Sequence, residues 1–196
     1  MTDKEIAFYE DFAHKFIKYL HTYLGEGYLI FFEQNKALDT ILHNLSVQSG
    51  LNIMPDGEYV PKLKLDIVFL IVSPQQQTKL ILIEAKYLAQ LGLKDYSQLV
   101  GYLQVAKIID TGLLLLIQKG ESKVQVSNDF SEIMALKKLP MNWLIELKNT
   151  SEQYQFKTGI IHYIPKNGIE WLNTKDLGGI SSFESFISVI VGNGGE

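Results

Sequence analysis

Two apolar runs constrain this chain's architecture more than any other feature. Residues 62–72 read KLKLDIVFLIV and residues 79–87 read KLILIEAKY, and only the polar stretch SPQQQT separates them. Runs of Leu, Ile, Val and Phe of this length, bounded by turn residues, are the signature of strands buried on both faces. A gap this short joins such strands as a hairpin. Yet Asp66 stands inside the first run, and Glu84 and Lys86 stand near the end of the second. Desolvating an unpaired charge is costly, so ionised groups are rare in such strands unless they are paired or have work to do.

The rest of the chain supplies a setting for that hairpin. Residues 3–24 carry Ile6, Phe12, Ala13, Phe16, Ile17, Leu20 and Leu24 at helical intervals, with Glu10 inside the stripe, and Gly25-Glu26-Gly27 closes the helix. A short strand is expected over 28–32, and a helix or an irregular connection over 35–47. Residues 50–61, with Gly50, Pro55, Asp56, Gly57 and Pro61, read as loop. After the hairpin, 93–109 is a helix with Tyr96, Leu99, Val100, Leu103 and Ala106 on its buried side. A wholly apolar strand follows at 113–118, with a shorter one at 123–126. The last third offers a helix at 130–138 and strands at 143–148 and 153–164. Ser181-Ser182-Phe183-Glu184 opens a final helix as a capping box, and the GNGGE tail should fray. The expected fold is therefore α/β with a mixed sheet, one domain over 1–196, with a core of about 3–126 and an α+β extension of about 127–196.

On a strand, residues two apart share a face, so Glu84 and Lys86 point the same way. A hairpin centred near Gln76 sets Asp66 opposite Lys86 and Val68 opposite Glu84. The charged groups then share a face within a pair spacing of ~5 Å or a diagonal of ~7–8 Å. Two carboxylates with the backbone carbonyl of Ala85 between them form an oxygen donor set suited to Mg²⁺ or Mn²⁺. A cation held there polarises a phosphate and acidifies a water, while Lys86 orients that water and steadies developing negative charge. These are the requirements of phosphodiester hydrolysis.

This pattern resembles the PD-(D/E)xK nuclease superfamily, in which an acid in one strand precedes E-x-K in the next. Here the motif is Leu65-Asp66 and then Glu84-Ala85-Lys86, with Leu65 in place of the usual proline. The resemblance implies a restriction-endonuclease-like core ordered helix, three strands, helix, strand, and covers about residues 5–126. In one branch, which includes RecB-like nucleases and the motor subunits of type I restriction enzymes, Q-x-x-x-Y follows on the next helix. Gln98-Leu99-Val100-Gly101-Tyr102 matches it. A glutamate of the first helix often joins the metal site in this family. Glu10 is the position expected to match it, with Glu5 and Glu33 as the alternatives. The implied catalytic residues are Asp66, Glu84, Lys86, Gln98 and Tyr102. The implied metal ligands are Asp66, Glu84, Ala85 and Glu10.

A lone E-x-K arises about once by chance in a lysine-rich chain of this size. Glu121-Ser122-Lys123 and Glu146-Leu147-Lys148 are two others, but neither has an acid in a preceding strand and a helix behind it. The four histidines make no metal-binding spacing and are expected mostly at the surface or its boundary. No phosphate loop, dinucleotide fingerprint or nucleophile elbow is present. All 18 basic residues are lysines, and the net charge is −4. Without arginine, the commonest bidentate reader of guanine, selection by DNA structure or strand end is expected over a long recognition sequence. DNA is the expected substrate, with RNA open, and a motor or targeting partner would supply strand opening. There are no cysteines, no apolar run approaches the ~20 residues of a bilayer span, and the first residues lack the layout of a signal peptide, so a cytoplasmic location is expected. The alternative is a catalytically silent member of the fold acting as a DNA- or protein-binding module or a dimeric scaffold.

Overall fold

Strand β2 (Lys64–Val72) is buried at every position after Lys64 because it lies one place in from a sheet edge and is covered on both faces. It pairs antiparallel with β1 (Leu29–Ala37) on one side and with β3 (Thr78–Leu88) on the other. Beyond β3 the sheet turns parallel: β4 (Thr111–Gln118) pairs with β3, and β6 (Gln153–Ile164) pairs with β4. Strand β5 (Asn142–Glu146) continues the sheet antiparallel to β6, which also pairs with β7 (Gly168–Trp171) and β8 (Gly179–Ile180). The path is β1-β2-β3-β4-β6-β5, an open mixed sheet in an α/β fold. The computed structural model describes residues 3–54, 57, 59–119, 125–135, 142–146, 153–165, 167–172 and 179–192.

Helices cover both faces. On one lie α3 (Leu38–Ser49), α4 (Leu93–Val105) and Phe130 of α5 (Asn128–Ala135), packed on Val68, Leu70, Leu82, Leu114, Leu116 and Ile160. On the other lie α2 (Tyr9–Leu24) and α6 (Phe183–Val191), packed on Ile67, Phe69, Ile81, Ile83, Leu113, Leu115 and Ile161. Alternate residues of each strand thus feed two separate cores, as the twofold period of a strand requires. The packing of α4 is tightest over Gly112, where an added Cβ would lie 2.6 Å and 2.9 Å from methyls of Leu103 and Leu99. On the opposite face, a Cβ at Gly159 would lie 2.8 Å from the Ile180 carbonyl.

Several expectations shift. The first helix is two: α1 (Asp3–Ile6) and α2 are separated by a turn at Ala7-Phe8, and Phe8 packs its ring on Tyr87 at 5.4 Å. Strand β1 runs five residues further than the expected 28–32, and α3 enters between the first two strands. The sequence had left that stretch open between helix and loop. Strand β6 spans the expected 153–164 and joins the same sheet as β1–β4. The final helix is capped one residue later than expected, by Ser182 with Ser185 as its reciprocal partner. Of the short strand expected at 123–126, Val126 makes one parallel bridge with Leu91 while 123 and 124 lie outside the described residues, as does the tail.

The hairpin register also moves. Ser73 and Gln77 close a loop of Pro74, Gln75 and Gln76, with Gln76 at φ 61. The turn centres on Gln75, so Ile67 faces Ile83 and Val68 faces Leu82. Asp66 is displaced by two positions from the expected partner Lys86 to a level with Glu84. An even displacement leaves every side chain on the same face.

Candidate functional site

The β2–β3 ladder stops at Ile67 and Ile83. Beyond that point β2 stays with β1 down to Lys64, while β3 stays with β4 out to Leu88. The two strands therefore part, and a fork opens in the middle of the sheet. Its backbone groups need other partners, and Asp66 supplies one: its Oδ2 accepts the Ala85 N–H at 2.8 Å. Strand alternation breaks here, because Leu65 packs with Val68 against the α3 and α4 face. Across the β1–β2 ladder, Asn35 adopts a left-handed conformation at φ 53.

Glu84 and Lys86 rise from the other tine. Lys86 Nζ donates to Glu84 Oε1 at 2.5 Å, while Glu84 Oε2 is buried with no hydrogen-bond partner. Asp66 is 3 % exposed and Glu84 1 %. Burial, then the neighbouring Asp66 charge, pushes the Glu84 carboxyl up to about 7, against the pull of Lys86. Burial also raises Asp66, opposed by the Ala85 N–H and Lys86 and reinforced by Glu5. For Lys86, burial disfavours the charge, but Glu84, Asp66 and Glu5 together outweigh it and hold the ammonium above its ordinary range. The fork is thus an excess of buried negative charge around a single cation.

A third acid reaches the cluster from α1, and it is Glu5. Its Oε1 accepts the Tyr9 hydroxyl at 2.8 Å and its Oε2 lies 3.5 Å from the Tyr87 N–H. Tyr9 is fully buried; burial, then the Asp66 charge, raises its phenol well above the ordinary range. Glu10 does not join. Its side chain is 73 % exposed and sits 3.8 Å from His14. The buried stripe of α2 runs through Tyr9, Phe12, Ala13, Phe16 and Leu20, and the turn at Ala7-Phe8 carries Glu5 onto that side. Glu33 is buried on the α3 side, held by Lys36 at 2.5 Å and Gln48 at 2.8 Å. The fourth-turn partner of Glu5, Tyr9, was the signal in the sequence that could have selected Glu5.

On α4, Gln98 Nε2 donates to the Tyr102 hydroxyl at 2.9 Å; both are half-buried, and Tyr102 packs against the α4-side core. Their hydrogen bond is with each other and does not extend to Glu84 or Lys86 among the described residues. His14, His21 and His43 are exposed. His162 is buried, with Glu170 3.8 Å away, and burial holds its imidazole below the ordinary range.

The donors at the fork suit a hard cation. All are oxygens, and one carboxylate oxygen, Glu84 Oε2, is buried without any other partner. Among the described residues no three or more carboxylate or imidazole groups form a closed cation cage. Two carboxylates are the usual protein share for Mg²⁺, which keeps several waters. Among the described residues no helix is long and apolar enough to cross a membrane. No family model, no curated protein and no solved structure matches this chain.

Proposed function

We propose that this protein is a Mg²⁺- or Mn²⁺-dependent nuclease that hydrolyses DNA phosphodiester bonds on a restriction-endonuclease-like core of the PD-(D/E)xK type. The observation that carries the proposal is the convergence of Asp66, Glu84 and Lys86 where two otherwise apolar strands part. A fold gains no stability from crowding two carboxylates into such a place. Breaking or under-pairing buried charge costs about 3–5 kcal/mol, so the arrangement calls for a role beyond structure.

Asp66 and Glu84 would hold the cation, with the Ala85 carbonyl as a further donor. When bound, the cation polarises the phosphate and lowers the pKa of the attacking water. Lys86, an ammonium tethered to Glu84, places positive charge beside the phosphorus and offsets the negative charge that grows on its oxygens. Water oxygen bonds to phosphorus, the bond from phosphorus to one sugar oxygen breaks, and that oxygen takes up a proton. Glu5, anchored by Tyr9, adds negative field behind Asp66. The Gln98–Tyr102 pair would hold the substrate backbone in register on the α4 side.

The test is cleavage of supercoiled, linear, single-stranded and branched DNA, and of RNA, with Mg²⁺ or Mn²⁺. The wild type is expected to cut DNA in the presence of metal, and Lys86→Ala and Asp66→Ala to lose cutting while remaining folded. Cleavage that survives both substitutions removes the mechanism. DNA that is bound but uncut under either metal points to a binding module instead.

A further inference from the structure

Beside the fork lies a cavity of about 380 Å³, walled by Ile6, Phe32, Glu33, Gln34, Asn35 and Lys36. It adjoins the acidic cluster on two sides: Ile6 follows Glu5, and Asn35 stands across the β1–β2 ladder from Asp66. Two features of its wall lack a structural explanation. Gln34 Oε1 and Asn35 Oδ1 are both buried without a hydrogen-bond partner. Asn35 also holds φ 53, a conformation that side-chain-bearing residues rarely adopt and that clusters at functional positions. Native proteins leave few buried amides unsatisfied, and two consecutive ones at the rim of a cavity mark a place prepared for a ligand.

The chemistry of the wall narrows that ligand. The charged groups are already matched, since Glu33 is held by Lys36 and Gln48, so the cavity does not select a strong ion of either sign. Its volume exceeds what a cation needs. Each amide offers one donor nitrogen and one acceptor oxygen, the combination that meets the edge of a nucleobase. Phe32 and Ile6 supply apolar surface against which the flat face of a base can lie.

We infer that this cavity is a base-binding subsite, which takes one unpaired nucleobase of the strand whose phosphate lies at the fork, held edge-on by Gln34 and Asn35. The inference rests on the nuclease reading and deepens it: the enzyme selects strands whose bases are free to leave the stack, such as single-stranded or frayed ends. It also fits a chain without arginine, because a splayed base is read by amides and stacking and not by a guanidinium in a groove.

The experiment uses the Lys86→Ala protein with Mg²⁺, which binds without cutting, and measures fluorescence anisotropy with two labelled 12-mers. One is a mixed-sequence single strand and the other an abasic strand with the same sugar-phosphate backbone. The base-bearing strand is expected to bind about ten-fold more tightly. Adding Gln34→Ala and Asn35→Gly should bring the two within about two-fold; glycine is at ease at the left-handed φ of position 35, so that turn is preserved. Equal affinity for the two strands, or a preference that survives both substitutions, overturns the subsite while leaving the fork intact. No binding to either strand, together with no cleavage by the wild type, overturns the nuclease reading and this inference with it.

Discussion

Replacing Glu84 by glutamine should stabilise the metal-free protein, and the gain should grow with pH. In the folded chain this carboxyl holds its proton up to about 7, against an ordinary value of 4.5, because it is buried and faces Asp66. The folded state therefore binds this proton more tightly than the unfolded chain does. Its favourable contribution is complete below about 4.5, declines as pH rises, and is lost above about 7. The span between the two values corresponds to about 3 kcal/mol at pH 8, with each unit worth about 1.4 kcal/mol. Glutamine keeps the shape of the side chain and an amide oxygen for Lys86 but carries no charge at any pH. The variant should match the wild type within about 1 kcal/mol at pH 5 and exceed it by about 3 kcal/mol at pH 8. Urea unfolding in EDTA, followed by circular dichroism at the two pH values, reads this as a shift of about 1 M in midpoint. A Glu84→Gln protein that is no more stable at pH 8 than the wild type, or whose advantage shrinks with pH, refutes the idea that the fork is a crowded acidic site.

Three further outcomes follow from the same structure. Mn²⁺ at about a hundred times its dissociation constant should raise the melting temperature of the wild type at pH 8 by about 5 °C or more, and leave Asp66→Asn nearly unmoved; equal shifts in both proteins would place the cation elsewhere. Tyr9→Phe removes the hydroxyl held by Glu5 and should cost about 1–2 kcal/mol in chemical denaturation, since Glu5 is left buried with one long contact. Gly159→Ala and Gly112→Ala should each destabilise by about 1–3 kcal/mol, the first by forcing β8 from β6 and the second by lifting α4 off β4. Only the second should also lower cleavage, because α4 carries Gln98 and Tyr102, and the pair of activity measurements tests this.

The strongest features of the fold were legible because they rest on local pattern. The runs around Asp66 and Glu84 announce buried strands, and their charges stand out against an apolar background. What the pattern could not reveal was set by backbone choices without a residue signature. The break between α1 and α2 falls at Ala7-Phe8, with neither proline nor glycine to mark it, and it decides that Glu5 and not Glu10 reaches the cluster. The hairpin centres on Gln75 because Gln76 accepts a left-handed conformation that glycine or asparagine would have advertised. Asn35 conceals the same choice within a strand, and β1 looked shorter than it is because its polar second half sits at a sheet edge. The pairing of β6 with β4 joins residues about 45 positions apart, a separation that no local periodicity encodes.

The most direct test of the account is single-turnover cleavage of a labelled DNA strand in Mn²⁺ by the wild type and by Lys86→Ala, each first shown to be folded and to bind the metal. If the fork is a hydrolytic centre, removing its one cationic side chain should slow cleavage by about 10²–10³-fold while Mn²⁺ binding through Asp66 and Glu84 persists. Equal rates in the two proteins, or a wild type that binds Mn²⁺ and leaves every DNA strand intact, would contradict it.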